Sequence, residues 1–248
     1  MSECWIVGIH PVEALLSHDP ARLLELLVEQ GAHNPRVAEL AARAREQGIA
    51  VHARAREALE RAAGEARHQG VAARCREAVP LGEAAIPALV ERAGSAALFL
   101  ALDGVTDPHN LGACLRSAAA AAVTAVIVPK DRASGITPVV RRAAAGAADR
   151  VPLVAVSNLA RGLRALRDAG VWLVGLAGDG EHSLYALDLK GPLGLVLGGE
   201  GEGLRRLSRE SCDYLARIPM PGAMESLNVS VATGVALFEA VRQRGGGT

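Results

Sequence analysis

Three segments after Ser95 place polar side chains and glycines just where apolar runs end. The first runs Asp103-Gly-Val-Thr-Asp-Pro-His-Asn-Leu-Gly-Ala-Cys-Leu-Arg116. It reads as a strand, a turn and a helix starting near Asn110, with Asn110 as N-cap and Arg116 about two turns later. A functional role for this amide and guanidinium and a capped helix with a salt-bridged arginine fit equally, since structural ion pairs are common. The second segment interleaves Gly198, Gly199, Gly201 and Gly203 with Glu200 and Glu202. Glycines after a strand let the backbone approach a ligand closely. The spacing fails G-x-G-x-x-G in every register and lacks the Gly-Lys-Ser/Thr of a phosphate loop. Two carboxylates would also repel a phosphate, so the loop suits hydroxyls, an amine or a cation. In the third segment, Ile218 to Gly234, a Pro/Gly turn precedes Ser226-Leu-Asn-Val-Ser230, where Ser226 or Asn228 caps a helix.

These side chains need a scaffold, and the apolar runs Ala97–Leu102, Ala125–Val128, Val151–Val156, Val171–Leu176 and Leu193–Leu197 supply one. Continuous apolar strands separated mostly by helical stretches predict an α/β fold with a mostly parallel sheet covered on both faces. In such sheets ligands bind beyond the carboxyl ends of the strands. Tyr214 to Ile218 adds a strand, Val229 to Gln243 a terminal helix, and Gly245–Gly247 a flexible tail. The N-terminal part reads as a smaller α/β unit over residues 1–76. A helix is expected from His10 to Leu16, another from Asn34-Pro35 to Gln47, and strands at Ile49–Ala53 and Gly70–Arg74. Leu23–Glu29 fits strand or helix. Pro80, Gly82, Pro87 and Gly94 mark residues 77–94 as a linker, with part of it open to a helix, leaving 95–248 as the larger domain.

The composition narrows the class. Of 248 residues, 50% are hydrophobic but only 2% aromatic, so the core is built from Ala, Val, Leu and Ile. Lys plus Arg and Asp plus Glu number 27 each, which excludes a polybasic coat for nucleic acid but not a local basic face. Cys4, Cys75, Cys114 and Cys212 are too scattered for a zinc site or a disulfide framework, so no metal is expected. No apolar run reaches membrane-spanning length and the N-terminus lacks the marks of a secretion signal, which makes the cytoplasm the expected compartment.

Taken together, Asn110…Arg116, Gly198–Gly203 and Ser226–Ser230 resemble, in order and separation, the three signature motifs of the SpoU/TrmH family of RNA 2′-O-ribose methyltransferases. Gly8-Ile-His-Pro-Val-Glu-Ala-Leu-Leu16 and His68-Gln-Gly70 extend the resemblance over the whole chain, toward members that methylate a guanosine of 23S rRNA in the peptidyl-transferase region. The resemblance implies a catalytic domain with a C-terminal trefoil knot, an N-terminal RNA-binding domain, a homodimer and the cofactor S-adenosylmethionine. The partner implied is 23S rRNA or a large-subunit assembly intermediate. It assigns catalytic positions to Arg116, Asn110, Glu200, Ser226 and Asn228, and cofactor contacts to Gly198, Gly199, Gly201, Ile218 and Leu227. Glu200 would either hold Arg116 or orient Asn110. Arg116, too basic for a general base, would orient the hydroxyl and stabilise the incipient alkoxide, a phosphate oxygen or water taking the proton.

The segment Ser134 to Gly146 departs from the family pattern at Thr137-Pro138 and Ala145, which weakens any role for that loop. Arg141, Arg142, Arg205, Arg206 and Arg209 would form basic patches for RNA or solvated helix faces. His10 and His68 are read as folding residues, and His109 as shaping a turn. Three other readings stay open: methyl transfer to tRNA, a non-catalytic ribosome-assembly protein, and a Rossmann oxidoreductase, the last opposed by the failed glycine fingerprint.

Overall fold

A computed structural model describes residues 3–31, 33–64, 67–77, 79–130 and 136–245. Two compact units divide the chain, residues 1–79 with 145–150, and residues 80–144 with 151–248.

The first unit comprises β1 (Glu3–Val7), α1 (Ile9–His18), β2 (Leu23–Glu29), α2 (Pro35–Glu46), β3 (Ala50–Arg54), α3 (Arg56–Ala63) and β4 (Val71–Arg76). Its sheet runs β1-β4-β2-β3, with β2 and β3 parallel and the other pairs antiparallel. Leu23–Glu29, ambiguous by periodicity, is a strand. Leu26 packs among Val12, Leu15 and Leu40 of α1 and α2, and the next residue, Leu27, packs with Leu59 of α3. Successive residues thus feed opposite faces, and helices cover both. Asn34 caps α2 as expected, its side chain accepting from the Arg36 amide at 3.1 Å.

The second unit contains β5 (Leu81–Gly82), α4 (Ile86–Ala93), β6 (Leu98–Asp103), α5 (Pro108–Ala120), β7 (Ala125–Pro129), α6 (Pro138–Ala144), β8 (Leu153–Val156), α7 (Leu159–Asp168), β9 (Trp172–Leu176), β10 (His182–Ser183), β11 (Leu193–Gly198), α8 (Arg206–Ser211), β12 (Tyr214–Arg217) and α9 (Val229–Arg244). Among the described residues its sheet has the order β10-β12-β9-β11-β6-β7-β8-β5, every pair parallel. The five long apolar runs are five of its strands. Phe99, Ala101 and Ile127 face α4 and α7 through Leu89, Leu163 and Leu166. On the other face α5 packs against α6 and α9.

Two expectations are corrected. Residues 77–94 are not a free linker: β5 pairs with β8, and Ile86, Leu89 and Val90 of α4 are buried in the core. The Pro/Gly content that suggested a linker serves helix ends, with Pro87 in the first turn of α4 and Gly94 at its C-cap. The helix α5 is capped not by Asn110 but by Asp107, whose side chain accepts from the His109 amide at 2.9 Å, with Pro108 at the first helical position. Asn110 therefore sits in the first turn, free to use its amide elsewhere.

The chain order sets the site. After β9 the chain reaches the sheet edge at β10, returns as β11 between β9 and β6, and goes back as β12 between β9 and β10. Three connections therefore converge beyond the carboxyl ends of β9, β11 and β12. Ser134 and Gly135, in the divergent loop, and Gly246 and Gly247 of the expected tail lie outside the described residues.

Candidate active site

Beyond those strand ends opens a cleft of about 540 Å³, walled by Leu176–Asp179, Leu197–Leu204, Ile218, Met220 and residues 225–229. All five expected cofactor-contact residues, Gly198, Gly199, Gly201, Ile218 and Leu227, line it, as do Glu200, Ser226 and Asn228.

The glycine loop folds back on itself. The Gly199 amide donates to the Asp103 carbonyl at 2.8 Å, and the Gly203 amide to the Gly199 carbonyl at 3.2 Å. A Cβ on Gly198 would lie 1.9 Å from the Gly203 carbonyl carbon, and one on Gly199 would lie 2.3 Å from the Gly104 oxygen. No side chain fits at either position, so the approach of backbone to backbone explains these two glycines.

A hydrogen-bonded chain joins the three segments. Asn110 Nδ2 donates to Glu200 Oε1. Asn228 Nδ2 donates to Asn110 Oδ1 at 3.0 Å. Asn228 Oδ1 in turn accepts from the Ser230 amide at 2.9 Å, capping α9, and from Ser230 Oγ at 2.6 Å. Of the two roles open to Glu200, orienting Asn110 is the one the structure adopts. Both amides thereby have their flips fixed, because each oxygen and nitrogen has a defined partner.

Arg116 stands apart. It lies six residues after Asn110 on α5, about 120° around the helix axis, is exposed, and does not line the cleft. Among the described residues it has no hydrogen bond or ion pair. Ser226 is exposed at the cleft wall, its side chain likewise without a hydrogen bond among the described residues.

One structural residue escaped the sequence reading. Asp103, at the end of β6, is 3% exposed, and its Oδ2 accepts from the Arg205 amide at 2.9 Å while Oδ1 faces Arg205 Nη1 at 3.3 Å. It pins the far end of the glycine loop to β6. The legible signal was an acidic residue closing an otherwise apolar buried strand. Two further arginines offered for RNA are also engaged: Arg206 with Glu210 at 2.6 Å, and Arg209 with Asp179 through two bonds of 3.0 and 2.9 Å. Those bonds hold the Asp179 carboxyl below its ordinary range. Cys114, one turn after Asn110, is pushed up to about 11 by burial and stays a neutral thiol against Thr233, 3.4 Å away.

Chemically, the cleft combines backbone walls with the carboxylates of Asp179, Glu200, Glu202 and Glu225, against, among the described residues, one guanidinium, that of Arg209, itself paired. It favours a ligand with cationic and hydroxyl groups over a polyphosphate. Among the described residues no group of His, Cys, Asp and Glu is arranged to hold a metal ion, and no helix is long and apolar enough to cross a membrane.

Comparison with known proteins agrees with this geometry. Residues 97–238 match the SpoU rRNA Methylase family, and residues 5–80 match a family described as RNA 2′-O ribose methyltransferase substrate binding. The chain is 59% identical over 240 residues to the 23S rRNA (guanosine-2′-O-)-methyltransferase RlmB of Xanthomonas campestris, covering 97% of this chain and 96% of that one. It is 54% identical to the protein of the same name from Pseudomonas aeruginosa, covering 96% of each. Among solved structures, the SpoU methyltransferase AviRb of Streptomyces viridochromogenes in complex with AdoMet superposes with a TM-score of 0.79 at 27% identity, over 99% of this chain and 92% of that one. An AdoMet-bound rRNA methyltransferase from Sinorhizobium meliloti gives 0.77 at 28% identity, over 97% and 87%. The chain belongs to the SpoU rRNA methylase family.

Proposed function

We propose that this chain is an enzyme that methylates the ribose 2′-hydroxyl of a guanosine in 23S rRNA, in the peptidyl-transferase region, with S-adenosylmethionine as donor. The observation that carries the reading is the Glu200–Asn110–Asn228 chain, which ties all three motif segments together at one cleft. When bound, S-adenosylmethionine supplies an electrophilic methyl carbon on a sulfonium.

The residues present fit that cofactor. The cleft volume lies within the range of small-molecule sites. The collapsed glycine loop leaves backbone rather than side chains at Gly198 and Gly199, and the acidic wall complements a cationic ligand. Gly198, Gly199, Gly201, Ile218 and Leu227 would hold it. Asn110, Asn228 and Ser226 would orient the ribose, and Glu200 would fix the Asn110 amide. Arg116, exposed and without a hydrogen bond or ion pair among the described residues, would align the hydroxyl and stabilise the developing alkoxide. A phosphate oxygen or water would take the proton.

Residues 1–76 form the RNA-recognising part in this reading, and 95–248 the catalytic part. The return of β11 and then β12 into the sheet supports a trefoil knot at the C-terminal end. A homodimer is supported by the exposed strip of α9, where Val231 and Phe238 are 51% and 49% exposed one heptad apart. Because α9 packs on α5, a second copy on that strip would lie beside the helix carrying Arg116. Cytoplasmic 23S rRNA or a large-subunit assembly intermediate is the partner.

The test is incubation with labelled S-adenosylmethionine and either protein-free 23S rRNA or tRNA, with the label located by resistance to alkaline cleavage. One methylated guanosine in 23S rRNA is expected. Label in tRNA alone would overturn the substrate, and RNA binding without any transfer would favour the assembly-factor reading.

A further inference from the structure

Two of the four cysteines, far apart in sequence, meet in the sheet of the first unit. β1 and β4 pair antiparallel with Cys4 directly opposite Cys75, and the two Sγ atoms stand 3.4 Å apart across 71 positions of sequence. Both are thiols. Cys75 Sγ also donates to the Cys4 carbonyl at 3.5 Å. The other two cysteines keep different company: Cys114 Sγ lies 3.4 Å from Thr233 Oγ1, and Cys212 Sγ donates to the Ser208 carbonyl at 3.2 Å.

Residues facing each other in an antiparallel pair have Cα atoms about 4.5 or 5.5 Å apart, according to whether they exchange hydrogen bonds. Either value falls inside the roughly 4.4–6.8 Å span of disulfides. Bringing the sulfurs to a bonding distance of about 2.05 Å therefore asks for side-chain rotation and no shift of the strands. The place matters as well. β1 is an edge strand, bonded among the described residues to β4, and it starts at Glu3, near a chain end where strands fray. At its inner end the ladder is fastened by the Gly8 amide, which donates to the Val71 carbonyl at 3.2 Å, and by Gln69 Oε1, which accepts from the Ile9 amide at 3.1 Å. At the Cys4 end the solvent-exposed ion pair of Glu3 with Arg74, at 2.9 Å, adds little.

We propose that Cys4 and Cys75 are a site of oxidative modification, where hydrogen peroxide converts the two thiols to a disulfide that staples β1 to β4. The partly exposed Cys4 gives up its proton and its sulfur attacks one peroxide oxygen. The O–O bond breaks, water leaves and a sulfenic acid forms. The Cys75 sulfur then attacks the Cys4 sulfur; the S–S bond forms, the S–O bond breaks, and the hydroxyl leaves as water with the Cys75 proton. Two electrons pass from the two sulfurs to the peroxide oxygens. Exchange with two molecules of a small thiol, themselves oxidised to a disulfide, restores the pair. The hydrogen bond with Cys4, and then burial, hold the Cys75 thiol above its ordinary range, which suits it to the second step rather than the first. Arg22 acts against that rise. Its Nε donates to the Arg76 carbonyl, one residue beyond Cys75, at 3.0 Å, and its buried Nη2 has no partner among the described residues. This positive charge eases loss of the Cys75 proton as the sulfur attacks. The disulfide closes most of the first unit into one loop and so narrows its unfolded ensemble.

The test treats the full-length protein with hydrogen peroxide, denatures it in N-ethylmaleimide to label remaining thiols, and maps the peptides by mass spectrometry; thermal melts are run on unlabelled samples. One linked peptide pair carrying Cys4 and Cys75 is expected, lost on adding dithiothreitol, with Cys114 and Cys212 carrying the maleimide. The transition that unfolds the first unit should rise by at least about 5 °C on oxidation. Cys4→Ser and Cys75→Ala, each melted with and without peroxide, should show no such rise, a comparison that a variant's own loss of stability does not enter. Maleimide on both Cys4 and Cys75 after peroxide, links through Cys114 or Cys212, a link joining two chains, or a Cys4–Cys75 link without a change in melting would overturn the proposal.

Discussion

Asn228 donates its Nδ2 to Asn110 Oδ1 at 3.0 Å across 118 residues of sequence, while its own Oδ1 caps α9. One side chain thus starts a helix and joins the polar chain at the cleft. Asn228→Asp separates these functions. An aspartate still accepts from the Ser230 amide, so stability should stay within about 0.5 kcal/mol of wild type, whereas Asn228→Ala should lose about 1 kcal/mol of cap energy. Both variants lose the donor to Asn110 and should transfer methyl groups at least about tenfold more slowly. Thermal melts beside single-turnover rates check this; full activity in Asn228→Asp would contradict it.

Gly198 has no room for a methyl group, since a Cβ would lie 1.9 Å from the Gly203 carbonyl carbon. Gly198→Ala should open the loop, lower stability by about 1–3 kcal/mol and weaken S-adenosylmethionine binding by at least about tenfold. Gly82→Ala, where nothing lies within 4 Å of a new Cβ, is the matching control and should change neither. Calorimetric titration of both variants decides.

Asp103 predicts a purely structural defect. Asp103→Ala removes a buried acceptor of the Arg205 amide and guanidinium, at a cost of about 2–3 kcal/mol. For a chain of this length the melting temperature should fall by roughly 5–10 °C. If instead stability is unchanged and only catalysis suffers, Asp103 is acting at the reacting centre.

How far the sequence carried is clearest at these residues. The strands of the larger sheet were legible because parallel strands buried on both faces are continuous apolar runs, as Leu98 to Leu102 illustrates. The cleft-lining glycines and Ser226 were legible through motif resemblance, and the Asn228 cap through local chemistry. Asn110 was misread as a cap because the stronger Asp107-Pro108 signal lies just upstream. The partner of Glu200 was undecidable, since Asn110 is 90 positions away. Asp103 passed unnoticed for the same reason, its ligand lying 102 residues on. The two prolines and two glycines around α4 left a helix open but read as linker, although Ile86, Leu89 and Val90 carry the spacing of a buried helical face.

Glu239 near the end of α9 gives an acid-sensitivity prediction. Hydrogen bonds from Arg242, and then from Gln243, depress its carboxyl to about 2 from the ordinary 4.5. A depressed carboxylate contributes stability that is complete above its unfolded value and lost as pH falls toward the folded one. Melting temperature should therefore drop more steeply between pH 5 and pH 3 in wild type than in Glu239→Gln. Parallel curves would show that the Arg242 pair contributes nothing to folding.

The central claim, that one cleft served by all three motif segments carries out the methyl transfer with Arg116 acting on the hydroxyl, is tested most directly by single-turnover transfer to 23S rRNA. Wild type and Arg116→Ala are compared at saturating S-adenosylmethionine, with cofactor affinity measured alongside. Arg116 lies off the cofactor cleft, so the account predicts cofactor affinity unchanged within about twofold and transfer slowed at least about a hundredfold, in keeping with loss of an electrostatic contact to a developing oxyanion. Undiminished transfer, or a loss explained wholly by weaker cofactor binding, would contradict it.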